Sequence, residues 1–129
     1  MRGVIPLAAG AFAALVALSP AGAAGDAARG EKVYERCAAC HSLDRDRTGP
    51  RHCGLFGRRA GSRPGFDYSQ AMRGSGIVWN DATLDRFLAA PTKVVPGTAM
   101  GYAGVDDPRD RADLVAYLKA ANGSRALCP

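Results

Sequence analysis

Residues Cys37-Ala38-Ala39-Cys40-His41 constrain this chain more than any other stretch. They read Cys-x-x-Cys-His, the attachment pattern of a c-type haem. The chemistry explains the spacing. Two thiols three residues apart lie near one face of a helical turn, so both can form thioethers to the two vinyl groups of one porphyrin. The adjacent imidazole then sits beneath the iron as an axial ligand. Two plainer readings compete. A Cys-x-x-Cys can be half of a structural zinc site, but such sites need a second clustered pair, and the remaining cysteines, Cys53 and Cys128, stand singly and far apart. A thioredoxin-like dithiol would follow a strand, and no strand-like run precedes Cys37.

The amino terminus has the pattern of an export signal. Arg2 is a small positive region, Val4 to Leu18 is apolar and uncharged, Ser19-Pro20 breaks the run, and Ala21-Gly22-Ala23 fits a small-residue cleavage site. Residues 1–23 are expected to be a signal peptide, cleaved on export to the periplasm, with residues 24–129 forming one monohaem domain. The alternative is an uncleaved anchor, because no charge occurs from Gly3 to Gly25 and that length can span a bilayer. Export places the chain in an oxidising space. Cleavage leaves about 106 residues, enough for a single small domain with a modest core. A buried haem would supply much of that core.

The chain has 17 basic and 12 acidic residues, and loss of Arg2 leaves a net charge near +4. The basic residues are scattered and mixed with acids, as in Asp44-Arg45-Asp46-Arg47. No Arg-rich arm or aromatic-interleaved basic strand points to nucleic acid. A mildly positive surface instead steers towards acidic protein partners.

Four helical segments can be read, and little reads as strand. The first starts at Asp26, an N-cap, and runs through Val33 and Tyr34 to the haem motif. A short one covers Ser69 to Arg73 and stops at Gly74. A third follows Asn80-Asp81, places Leu84, Phe87 and Leu88 at i, i+3, i+4, and ends before Pro91. In the last, Asp107 caps, Pro108 sits at N1, Asn122-Gly123 closes, and the apolar stripe is Leu114, Val115, Tyr117 and Leu118. Long Gly- and Pro-rich loops, Thr48 to Phe66 and Pro91 to Gly104, join them. The architecture implied is all-α: about four helices and long loops wrapped around one covalently bound haem.

Met100 lies in the loop Pro96-Gly97-Thr98-Ala99-Met100, about sixty residues after His41. From spacing alone, packing and ligation are both open to it. Further blocks follow in order: Thr48-Gly49-Pro50, Gly54-Leu55-Phe56-Gly57-Arg58, Pro64-Gly65-Phe66-Asp67-Tyr68, Gly76-Ile77-Val78-Trp79 and Asp113-Leu114-Val115-Ala116-Tyr117-Leu118. With the haem motif and the Met100 loop, these blocks resemble a class I cytochrome c, the mitochondrial type and its soluble bacterial relatives, from about Gly30 to Asn122.

The resemblance implies roles for matching positions. Met100 becomes the sixth ligand, opposite His41. The Pro50 carbonyl accepts from the other nitrogen of His41, fixing the ring and raising its basicity. Tyr68 and Trp79 donate to a buried haem propionate, with Arg58 nearby as a compensating charge, since an isolated buried propionate would be costly. Thr98 stands beside the methionine ligand. Gly30 lets the first and last helices cross closely, near Tyr117. With both axial positions filled, the iron cannot readily bind oxygen or peroxide, and methionine raises the potential. The implied function is a single-electron carrier, not an enzyme. Its implied partners are redox proteins: a membrane oxidase, a cytochrome bc-type complex, a reaction centre or a dehydrogenase. The carrier is expected to be monomeric and to touch membranes only transiently, through those partners. Two alternatives stay open: a haem peroxidase or small-ligand-binding protein if Met100 is not bound, and a dedicated electron-acceptor subunit of one dehydrogenase.

The chain also departs from the family pattern. His52 stands where the family usually has a buried leucine. The expected arrangement is a side chain rotated to the surface, with the alternative of a substitute ligand should Met100 dissociate. The loop between His41 and Thr48 is shorter than in mitochondrial proteins. Ala99 and Thr92 replace lysines common around the haem edge, leaving Arg36, Lys93 and Lys32 as docking candidates on a thinned positive ring. Cys53 and Cys128 are the only thiols left after haem attachment. In an oxidising compartment they are expected to pair, closing a loop of about 76 residues and constraining the unfolded chain by roughly 4 kcal/mol. Finally, the family usually has tyrosine at Phe87 and asparagine at Met72, which with the Thr98 hydroxyl hold a buried water. The paired change to apolar residues implies a drier pocket and a potential different from the family norm. Phe87→Tyr should therefore shift the midpoint potential in a redox titration, and an unchanged potential would remove the argument.

Overall fold

A computed structural model describes residues 24–129; the expected signal peptide, residues 1–23, lies outside the described residues. Among the described residues five helices occur in chain order: α1 (Ala27–Tyr34), α2 (Gln70–Gly74), α3 (Asp81–Ala89), α4 (Pro91–Val94) and α5 (Pro108–Asn122). Each of the four helices read from the sequence begins at a side-chain cap, which satisfies an amide that the helix leaves unpaired. Asp26 accepts from Arg29 N, Ser69 from Met72 N and Asp107 from Arg109 N. Asn80 and Thr83 form a reciprocal capping box at the start of α3. Among the described residues no helix is long and apolar enough to cross a membrane.

The fold has one helix more than the sequence suggested. Pro91 ends α3, as read, but it also sits at N1 of the four-residue α4. A proline's fixed φ and missing N–H suit a helix start as well as they punish a helix interior. The long loops are not free of pairing either. An isolated antiparallel bridge joins Arg59 and Val78. Gly57 N donates to Trp79 O at 2.8 Å, Trp79 N to Arg58 O at 3.0 Å and Ala60 N to Ile77 O at 2.8 Å. This ladder ties the loop after Pro50 to the segment that enters α3.

α1 packs across α5, and α3 packs against α5 and α4. The core gathers Val33, Leu84, Phe87, Leu88, Val105, Leu114 and Leu118, all 7% exposed or less. Each such side chain contributes roughly 1.5–3 kcal/mol by leaving water. Of the stripe read on α5, Leu114, Val115 and Leu118 are buried, while Tyr117 is half-buried and lies 5.2 Å from the Tyr34 ring. Gly30 sits at the crossing: a Cβ there would land on the Asp113 carbonyl oxygen and come 2.8 Å from Tyr117 Cβ. Asp113 is only 2% exposed. Its carboxylate accepts from Asp26 N at 2.6 Å and from Arg29 Nε at 2.8 Å, and the Arg29 hydrogen bond holds its pKa below the usual carboxylate value.

Cys53 and Cys128 are disulfide-bonded, with Cα atoms 5.4 Å apart and a sequence separation of 75. The bridge fastens the tail beyond α5 to the loop after Pro50. Asn122, the last residue of α5, reinforces it. Its Oδ1 accepts from Gly54 N at 2.7 Å and Leu55 N at 3.2 Å, and its Nδ2 donates to His52 O at 3.1 Å.

Two expectations follow for stability, both read by urea denaturation of the haem-loaded protein. Gly30→Ala should destabilise by about 2–3 kcal/mol or more, because the added methyl has nowhere to go at the α1–α5 crossing. Replacing Cys53 and Cys128 together with serine should remove roughly 4 kcal/mol, the loop-closure contribution.

Candidate functional site

The carboxyl end of α1 does not stop at Tyr34. Cys37 N donates to Tyr34 O at 2.8 Å, and Cys40 N and His41 N donate to Cys37 O at 3.1 and 2.9 Å. The motif therefore continues α1 as a tight turn, which brings Cys37, Cys40 and His41 to one side of a cleft. The Arg47 guanidinium donates to the carbonyls of Ala38 and His41, bracing the free end of this turn.

His41 Nδ1 donates to the Pro50 carbonyl at 2.8 Å, as the resemblance implied. That bond assigns the proton to Nδ1 and leaves Nε2 as the free nitrogen. Gly49 presses on the same ring: a Cβ there would sit 2.6 Å from either ring nitrogen. Burial pushes the His41 pKa down, opposed by the Pro50 carbonyl, which favours the neutral form that a metal ligand must take.

Met100, Thr98, Arg58, Tyr68 and Trp79 line the same cleft, so every site residue expected from the sequence borders one space. The Thr98 hydroxyl accepts from Met100 N at 3.2 Å, which fixes the loop carrying the thioether. Trp79 is 7% exposed, with its ring 5.1 Å from Phe87. Tyr68 meets Phe66 edge-on at 4.8 Å. Arg58 donates to Arg51 O at 3.2 Å and Cys53 O at 3.4 Å. Burial lowers its pKa, yet a guanidinium stays charged. Met72 and Phe87 are both buried on the cleft wall, where the family pattern would place polar groups. Two thiols on one turn, an imidazole of fixed tautomer, a thioether and otherwise largely apolar walls suit a covalently attached haem.

His52 overturns its expectation. Its ring turns inward and lines the cleft instead of facing solvent. It stacks on His41 with ring centroids 4.3 Å apart and planes 22° from parallel, and its Nδ1 shares a 3.1 Å hydrogen bond with the Tyr34 hydroxyl. Burial pushes its pKa well below the ordinary histidine value. Tyr34, itself 8% exposed, is the residue that sequence reading did not connect with the site. Only its place three residues before Cys37 could have suggested it. Arg36 is also less available than expected, because it pairs with Asp110 at 3.0 Å. Lys32 and Lys93 are exposed, with no ion pair among the described residues.

The Cytochrome c family model matches residues 27–122. Cytochrome c2 of Rhodomicrobium vannielii is 46% identical over 114 residues, covering 86% of this chain and 91% of that protein. Cytochrome c of Euglena viridis is 46% identical over 98 residues, covering 74% of this chain and 96% of its own. Among solved structures, cytochrome cH from Methylobacterium extorquens superposes with a TM-score of 0.73 at 43% identity, over 74% of this chain and 99% of that one. The chain belongs to the class I cytochromes c: it binds one covalently attached c-type haem and is an electron carrier, not an enzyme.

Proposed function

We propose that Cys37 and Cys40 attach the haem, that His41 and Met100 fill both axial positions, and that the protein shuttles single electrons between periplasmic or membrane redox partners. The observation that carries this reading is the 2.8 Å hydrogen bond from His41 Nδ1 to the Pro50 carbonyl, in a cleft that Met100 and both thiols also line. When bound, the haem supplies a one-electron couple whose potential methionine ligation raises. The protein's part is to hold the surroundings still. Pro50 and Gly49 fix the His41 ring, and Thr98 fixes the Met100 backbone. Leu84, Phe87, Leu88 and Leu118 line the cleft with apolar surface, which would keep water from the bound haem. Tyr68 and Trp79 are the donors for a propionate, with Arg58 as its countercharge, since a buried carboxylate needs such partners.

Lys93 and Lys32, exposed and without an ion pair among the described residues, are cations that can meet an acidic partner, with Arg36, which lines the cleft, contributing less because Asp110 pairs with it. Cleavage of residues 1–23 on export places this encounter in the periplasm, with transient contact at membranes through the partner.

Absorption spectra of the purified haem-loaded protein test the ligand set. The ferric form should show the weak near-infrared band of Met–haem ligation, and the ferrous form should be low-spin and indifferent to carbon monoxide. Met100→Ala should abolish the band and admit carbon monoxide. A wild-type protein that lacks the band and binds carbon monoxide would sink the proposal.

A further inference from the structure

We propose that His52 is a positioning residue for the haem: its imidazole lies flat against His41 and, anchored by Tyr34, sets the plane in which His41 meets the metal. The inference rests on His41 ligation as proposed above. A hydrogen bond to Pro50 fixes where one edge of the His41 ring points. It does not by itself stop the ring from turning about that bond. Turning is opposed by what packs on the ring: the Gly49 backbone lies close against it, and His52 presents a flat face 4.3 Å away and 22° from parallel.

His52 can serve as a reference plane because it is held at several points. The Tyr34 hydroxyl bonds its Nδ1 at 3.1 Å. Its backbone N donates to Ser42 O at 3.1 Å, and its carbonyl accepts from Asn122 Nδ2 at 3.1 Å. The next residue, Cys53, is covalently tied to Cys128. Tyr34 in turn is buried in the core against Tyr117. A leucine at this position would fill the space but would offer neither a flat face nor a bond to Tyr34. A polar ring placed inside an apolar wall needs its own partners, and here those partners fix its orientation. Groups behind a metal-bound histidine commonly fix its ring orientation.

The orientations of both axial ligands govern how unpaired spin spreads over a ferric low-spin haem; with the methionine common to every variant, a change in the four haem-methyl proton shifts reports a change in the imidazole plane. Proton NMR of the ferric holoprotein should therefore show a changed order or spread of these shifts in His52→Leu. His52→Phe, which restores a flat face, should keep the native order. Tyr34→Phe should move the shifts in the same sense as His52→Leu but by less. A native pattern in His52→Leu would overturn the proposal, as would a Phe variant altered as much as the Leu variant. Should His52→Leu not accumulate as folded holoprotein, Tyr34→Phe decides, and an unchanged pattern there overturns it. Loss of the Met–haem spectrum in the unsubstituted protein would instead mark failure of the ligation reading, and the inference would fall with it.

Discussion

α1 and α5 cross with their backbones almost touching, and the groups on the amino-terminal side of the cleft are placed by that contact. Gly30 supplies the close approach. The buried Asp113 supplies the register, because its carboxylate takes the Asp26 amide and the Arg29 guanidinium at once. A buried carboxylate without such partners would be strongly unfavourable, so sliding α1 along α5 by one turn would strand it. The constraint matters more here than in a bundle. A cleft lies within the domain, and among the described residues α1 has no other helix in comparable contact.

The site inherits that register. α1 carries Tyr34 into the core and runs straight into the turn of Cys37 to His41. The loop from Gly49 to Leu55 then wraps back beneath it. Pro50 meets His41 Nδ1, His52 stacks on His41 and meets Tyr34 edge-on, and Cys53 and Gly54 are fastened to the tail and end of α5. Helix crossing, loop and His41 thus form one connected unit. On the other side the Met100 loop depends on local bonds, such as Thr98 to Met100 N.

Much of this was legible in the chain, and for physical reasons. Caps announce themselves, because Asp26, Ser69, Asn80 and Asp107 are short acceptors placed where amides lack partners. The haem motif is legible because thioether chemistry tolerates little variation in spacing. The Pro50 contact was available only through resemblance, since nothing local says which nitrogen a proline carbonyl will meet. α4 was missed because Pro91 is read as a stop, although the same ring geometry also starts a helix. His52 was misread for a deeper reason. A polar ring where the family has a buried leucine reads as turned to the surface, and its inward turn depends on a hydroxyl eighteen residues upstream. Pairings across such distances leave no periodic trace. Nor did the sequence announce the Arg36–Asp110 pair, which spans 74 positions.

The disulfide gives the molecule a topology that its helices alone do not. The Cys53–Cys128 bond turns α2 through α5, Trp79 and Met100 included, into a covalently closed ring. α1 and the segment Cys37 to His41 lie outside it as a strip laid across the ring's surface. The proposed axial ligands therefore sit on different pieces, one on the strip and one on the ring. If the strip lifts, the ring keeps its closure and α1 leaves together with the histidine. Such an opening would run along the α1–α5 crossing and past the cleft, and a haem held by both His41 and Met100 would rivet the two pieces together.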